Sequence, residues 1–69
     1  MTAYTVTTWR EPDGRWSAAA DGIDGAFTSG GSLAEVDFNI RESIAVSLDL
    51  PLAAEATLDI DLRVLSSPA

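Results

Sequence analysis

Residues 32–50 read SLAEVDFNIRESIAVSLDL, the longest periodic stretch in this 69-residue chain. At about 100° per residue, Leu33, Val36, Ile40, Ile44 and Leu48 fall on one face with Ser43 and Ser47 beside it, the pattern of an amphipathic helix that covers a sheet. Ser32 supplies the N-cap, because its hydroxyl can accept from a free N–H of the first turn, and Glu35 three residues on completes a capping box. Pro51 is expected to end the helix by disfavouring helical geometry at Leu50. The simplest use of the apolar stripe is core packing.

Upstream of the helix the period changes from that of a helix to that of a strand. Residues 3–10, AYTVTTWR, alternate and are rich in β-branched and aromatic side chains, with Tyr4 and Val6 on one face and Thr5, Thr7 and Trp9 on the other. Glu11-Pro12-Asp13-Gly14 has the composition of a hairpin turn, since proline presets one turn angle and Asp-Gly tolerates positive φ. A second strand over 15–20 sets Trp16, Ala18 and Ala20 against Arg15, Ser17 and Ala19; its small alanines leave room for an approaching helix. Residues 21–25, DGIDG, form a loop anchored by Ile23, and 26–29 form a short third strand before Gly30-Gly31 turn the chain into the Ser32 cap.

Downstream, residues 52–55 connect the helix to the last strand without a recognisable pattern. Leu58, Ile60, Leu62 and Val64 then alternate with Thr57, Asp59, Asp61 and Arg63, giving one apolar and one charged face. Residues 66–69 are expected to fray. The element order is βββαβ. Two hairpins make the first three strands antiparallel, and a right-handed crossover through the helix sets the last strand parallel to the first. The expected fold is α+β: one helix on a four-stranded mixed sheet of order 3-2-1-4, in one domain over residues 1–69.

Composition narrows the chemistry. The chain has no cysteine, histidine or lysine, and its cationic side chains are Arg10, Arg15, Arg41 and Arg63. His general bases, Cys nucleophiles, Schiff-base lysines, disulfides and His- or Cys-ligated zinc are therefore unavailable. Eleven acidic residues against four arginines give a formal net charge of −7, which suits a basic protein partner better than a phosphate backbone. The same charge also serves solubility alone. No apolar run approaches the roughly 20 residues that span a bilayer, and the start does not read as a signal peptide, so a cytoplasmic location is expected. A domain of this size buries a modest core and gains from self-association, which makes a homodimer the expected state.

Several side chains stand out. Asp59 and Asp61 share a strand face and could offer oxygen ligands to a divalent cation, but such a pair is more simply the solvated side of a strand or part of an acidic contact surface. A metal-dependent nuclease would need carboxylates converging from several elements, and residues 3–10 hold none, so no metal, cofactor or small-molecule substrate is expected. Phe38 lies about 140° around the helix from Leu33, with Val46 also at the outer edge. Each is either an incidental exposed apolar residue or an anchor for a partner. Trp9 either packs among its own strands or makes a contact on the sheet face away from the helix. The free edge of the last strand is a further docking surface, although Asp59, Asp61 and Arg63 discourage strand addition there. Arg41 is expected to pair with Asp37 one helical turn away.

Tyr4-Thr5-Val6, Asp13-Gly14-Arg15-Trp16, Ile23-Asp24-Gly25, Thr28-Ser29-Gly30-Gly31-Ser32-Leu33 and Asn39-Ile40-Arg41-Glu42-Ser43-Ile44 follow one another in an order that resembles the HicB-like antitoxins. The likeness covers nearly the whole chain. It implies a partial RNase-H-like fold and a non-enzymatic antitoxin that neutralises a HicA-type toxin, a small mRNA-cleaving ribonuclease, by covering its active surface. Two features depart from the family. Its Pro-Glu-Leu-Pro-Gly loop stands here as Asp21-Gly22-Ile23-Asp24-Gly25, without the stiffening prolines. A helix-turn-helix or ribbon-helix-helix segment, common after the last strand in the family, is not found in these 69 residues, so direct DNA binding is not carried over. The expected partner contacts are Trp9, Phe38, Val46, Asp59 and Asp61, with a structural or oligomerisation domain of another complex as the alternative and an RNase-H-like nuclease behind both.

Overall fold

A computed structural model describes residues 3–65 of the chain. The alternating segment Ala3–Arg10 forms strand β1, and the acidic turn after it reverses the chain. There the Glu11 carbonyl accepts from the Gly14 N–H at 2.9 Å, the Asp13 carboxylate accepts from the Arg15 N–H at 2.9 Å, and Gly14 takes a φ of 91° that a Cβ would strain. Strand β2, Trp16–Ala20, returns antiparallel to β1, and β3, Phe27–Gly30, is antiparallel to β2. Helix α1, Leu33–Ser47, and a short 3₁₀ helix, Leu52–Thr57, lead into β4, Asp59–Val64, which lies parallel to β1. The sheet order is β3-β2-β1-β4, so the fold is α+β with one helix on a four-stranded mixed sheet, as the sequence predicts.

The register explains the core. Val6 stands opposite Ala20 on β2 and Leu62 on β4, so one row of the sheet is apolar across three strands. Val36, Ile40 and Ile44 come down from α1 onto Val6, Ala18 and Ala20, with Tyr4, Trp16, Ile23 and Leu58 closing the margins. Alanines on β2 let the helix approach, and burying each branched helix residue contributes about 1.5–3 kcal/mol. Ser32 caps α1 as expected, its hydroxyl accepting from the Glu35 N–H at 3.2 Å.

α1 sits over β2 and β3 rather than over the middle of the sheet. On one flank, the Ser43 hydroxyl accepts from the Phe27 N–H at 3.1 Å and the Asn39 amide donates to the Ser29 carbonyl at 3.3 Å. The outer edge of β3 is thereby closed by helix side chains, which removes one of the two free edges of the sheet. On the other flank, Arg41 pairs with Asp37 at 3.0 Å as expected, and also donates from Nη1 to the Leu58 carbonyl at 2.6 Å. That second contact ties the helix to the start of β4, and nothing in the helical period announces it.

The structure corrects some boundaries. α1 stops at Ser47, earlier than Pro51 implies. Asp49 adopts a φ of 57°, its N–H donates to the Val46 carbonyl at 3.2 Å, and the Leu50 N–H donates to the Ala45 carbonyl at 2.8 Å. These paired bonds satisfy the last free carbonyls in a Schellman arrangement, so the helix is closed before the proline is reached. Residues 52–55, patternless in sequence, belong to the 3₁₀ helix, which lies against α1. Ala45 has 1% of its surface exposed although the helical period puts it on the outside. Leu33 and Leu48, placed by that period on the inner face, are 36% and 39% exposed. They stand at the two ends of α1, whose 15 residues rise about 22 Å against about 17 Å for the five of β2. β2 starts at Trp16, β3 runs one residue later than expected, and Thr57 and Leu58 precede β4. The expected frayed tail at 66–69 lies outside the described residues.

Candidate functional site

The sheet face turned away from α1 carries no covering element among the described residues. It presents Thr5, Thr7 and Trp9 from β1, Ser17 and Ala19 from β2, Phe27 and Ser29 from β3, and Asp59, Asp61 and Arg63 from β4. Cross-strand register orders these side chains into rows. Trp9 stands opposite Ser17, which stands opposite Ser29, while Ala19 lies between Thr7 and Phe27. The large rings therefore occupy the outer strands of this patch and the small side chains occupy the strand between them. Trp9 and Phe27 approach diagonally over β2 with centroids 6.3 Å apart and planes tilted by 50°. Ser17 is only 5% exposed on this uncovered face. Phe27 itself remains 58% exposed.

Hydrogen bonds fix the surroundings of this aromatic pair. The Trp9 indole N–H donates to the Glu11 carboxylate, and the Thr7 hydroxyl donates to the Asp21 carboxylate at 3.1 Å. The indole is thus anchored at its polar end while its ring stays on the surface, a disposition common at protein interfaces. Two acceptor carboxylates border the apolar patch.

At the other corner of the same face, Asp61 stands opposite Thr5 and Asp59 opposite Ala3. Asp61 is paired within its own strand to Arg63 at 3.1 Å, and both side chains are exposed. Trp9 is four residues along β1 from Thr5, about 13 Å at strand rise, so the aromatic pair and the acidic pair border one surface without touching. Among the described residues no three Asp or Glu side chains come together in a cation-binding group.

Phe38 and Val46 lie elsewhere. Both project from the outward side of α1, 69% and 71% exposed, and their separation of eight positions corresponds to about 12 Å along the helix axis. Val46 borders an open groove of about 310 Å³ between α1 and β3 that also takes in Gly25, Thr28, Asn39, Glu42 and Ser43. Phe38 does not line it. The five residues singled out from the sequence therefore divide between two opposite surfaces: Trp9, Asp59 and Asp61 on the bare sheet, Phe38 and Val46 on the back of the helix.

Phe27 is the functional candidate that sequence reasoning missed. Its signal was present, since a third strand antiparallel to β2 must direct either Phe27 or Thr28 to the bare face, but the register that selects Phe27 depends on the DGIDG loop geometry. A third surface is the outer edge of β4, next to which Val64 and Leu65 are 48% and 55% exposed. No helix among the described residues is long and apolar enough to cross a membrane. Compared with protein-family models, with curated proteins and with solved structures, the chain finds no significant match.

Proposed function

We propose that this chain is a non-enzymatic binding module, an antitoxin-like domain of the HicB-like, partial RNase-H-like type, which neutralises a small basic HicA-type toxin by direct contact and does so as a homodimer. The observation that carries the proposal is the bare sheet face, where an exposed aromatic pair, Trp9 and Phe27, sits on a surface bordered by the carboxylates of Glu11, Asp21, Asp59 and Asp61. Aromatic anchors with a charged rim are the usual composition of a protein contact surface. A net charge of −7 speeds encounter with a cationic partner and disfavours nucleic acid. The order of short motifs along the chain supports the same reading, and the absence of His, Cys and Lys leaves few routes to catalysis.

A second reading has its own support. An oligomerisation domain serving another complex would use the exposed apolar residues next to the open edge of β4, Val64 and Leu65, more than the aromatic pair. The two separate in one experiment. Co-expression with a small basic HicA-type toxin, sought in the reading frame adjacent to this gene, is expected to restore growth that the toxin alone arrests, and the two are expected to co-purify. Growth arrest that persists, with no co-purification, rejects the antitoxin reading; RNA cleavage by the chain itself, lost in Asp59→Asn, replaces it with the nuclease.

A further inference from the structure

The two edges of the sheet are treated differently by the fold. β3 is closed by Ser43 and Asn39, whereas among the described residues nothing pairs with the outer side of β4. The direction of the β4 backbone groups follows from its neighbours. The Leu65 N–H donates to the Thr8 carbonyl of β1 at 2.8 Å, and successive peptide groups of a strand alternate in direction, so the N–H and C=O of Ile60, Leu62 and Val64 point out of the sheet. Arg41 reaching the Leu58 carbonyl from the helix side agrees with that phase. These three residues form an unpaired ladder with a half-buried or exposed apolar side chain at each step.

We propose that this edge pairs with a second copy of itself, β4 against β4 and antiparallel about a twofold axis at Leu62, making a continuous eight-stranded sheet. The inference rests on the homodimer in the proposed function and adds its surface and register; it is independent of the toxin. Charge selects the register. With Leu62 at the axis, Asp61 faces Arg63 of the second copy and Arg63 faces its Asp61, while Ile60 faces Val64. Moving the axis one residue towards the N-terminus opposes Asp61 to Asp61, and one residue towards the C-terminus opposes Arg63 to Arg63. Like charges directly opposite in adjacent strands are destabilising and opposite charges stabilising; the N-terminal shift also sets Asp59 opposite Arg63, but the Leu62 axis is the alignment of the three that opposes unlike charges without opposing like ones.

Backbone geometry agrees with the same axis. The outward peptide groups belong to Ile60, Leu62 and Val64, which makes these the hydrogen-bonded pairs of the new ladder. Asp61 and Arg63 then fall in non-hydrogen-bonded pairs, where opposed side chains approach most closely. Asp61 and Arg63 already form an ion pair within the strand at 3.1 Å. The second copy converts that pair into a four-charge cluster of alternating sign. Charges that deter a foreign strand from an edge thus favour self-pairing in one alignment.

Sedimentation and amide exchange test this directly. The chain is expected to sediment as a dimer, with slowed exchange at the Ile60, Leu62 and Val64 amides that is lost on dilution to monomer. Asp61→Arg and Arg63→Asp are each expected to weaken the dimer at least tenfold, and the doubly swapped chain is expected to recover it to within threefold. These side chains are exposed, and exchange in the unaltered chain gives the answer without any variant. A monomer at all concentrations overturns both the homodimer and this edge. A dimer with fast exchange at those amides, or one indifferent to the single reversals or not recovered by the double swap, overturns the edge alone.

Discussion

Trp9 and Phe27 meet 6.3 Å apart across β2, although they belong to strands that do not pair with each other. The contact is possible because β2 offers only Ser17 and Ala19 beneath the rings. Aromatic pairs of this separation and tilt contribute about 0.5–1.5 kcal/mol beyond burial, so Phe27→Ser is expected to lower stability by about 1 kcal/mol and leave the fold intact. Urea unfolding monitored by far-UV circular dichroism measures the first, and an unchanged native spectrum the second. A loss above about 4 kcal/mol would place Phe27 in the core instead of on a contact surface.

Arg41 holds α1 to the beginning of β4 through the Leu58 carbonyl at 2.6 Å, in addition to Asp37. Hydrogen bonds involving a charged group contribute about 1.5–3 kcal/mol, and Arg41→Ala is expected to destabilise the domain by about 2 kcal/mol. Asp37→Ala, which removes only the helix-surface ion pair, is expected to lose about 0.5 kcal/mol. Equal losses in the two variants, read from urea midpoints, contradict the clamp.

Asp49 holds a left-handed conformation at φ 57° just beyond the C-terminus of α1, where a negative charge also opposes the helix dipole. Asp49→Gly relieves both and is expected to raise stability by about 1 kcal/mol. Calorimetry showing a lower melting temperature for Asp49→Gly would contradict the Schellman closure.

The Thr8 hydroxyl is fully buried without a hydrogen-bond partner among the described residues. Removing an unpaired buried hydroxyl while keeping the side-chain shape abolishes the desolvation penalty of that group, so Thr8→Val is expected to stabilise by about 1 kcal/mol in urea. A destabilised Thr8→Val chain would show that the hydroxyl finds a partner in solution.

Loss of the side chain that closes β3 exposes a strand edge. In Ser43→Ala the Phe27 N–H loses its 3.1 Å side-chain acceptor and keeps the Gly25 carbonyl at 3.1 Å. Faster amide exchange at Phe27, and a stability loss of about 1 kcal/mol, are expected. Unchanged exchange at Phe27 would assign its protection to the Gly25 carbonyl instead of Ser43.

Most of the fold was legible because periodicity is local. Residues 3–10 alternate strictly enough to be read without knowing their neighbours, and Ser32 with Glu35 marks the helix start unambiguously. The sheet order followed from two short hairpin connections and the handedness of the crossover, not from any long-range signal. What escaped depends on tertiary contacts. Ala45 is buried on a side of α1 that the helical projection leaves outside, where the chain beyond the helix folds back to donate from the Leu50 N–H to the Ala45 carbonyl. The helix end was hidden for a different reason: an aspartate, instead of the usual glycine, takes the left-handed position at 49, so Pro51 looked like the stop. Among the site residues, the face carrying Trp9, Asp59 and Asp61 could be read from alternation, whereas Phe27 joined Trp9 only once the register between β2 and β3 was known.

The central claim is that the bare sheet face, rather than the back of the helix, receives a basic partner. Chemical-shift mapping of the labelled chain titrated with a small basic HicA-type toxin is the decisive test. The largest changes are expected at the Trp9 indole N–H and at the amides of Thr7, Ser17, Phe27 and Asp61, with Phe38 and Val46 unmoved. Changes gathered at Phe38 and Val46, or a spectrum that the basic protein leaves untouched, would contradict it.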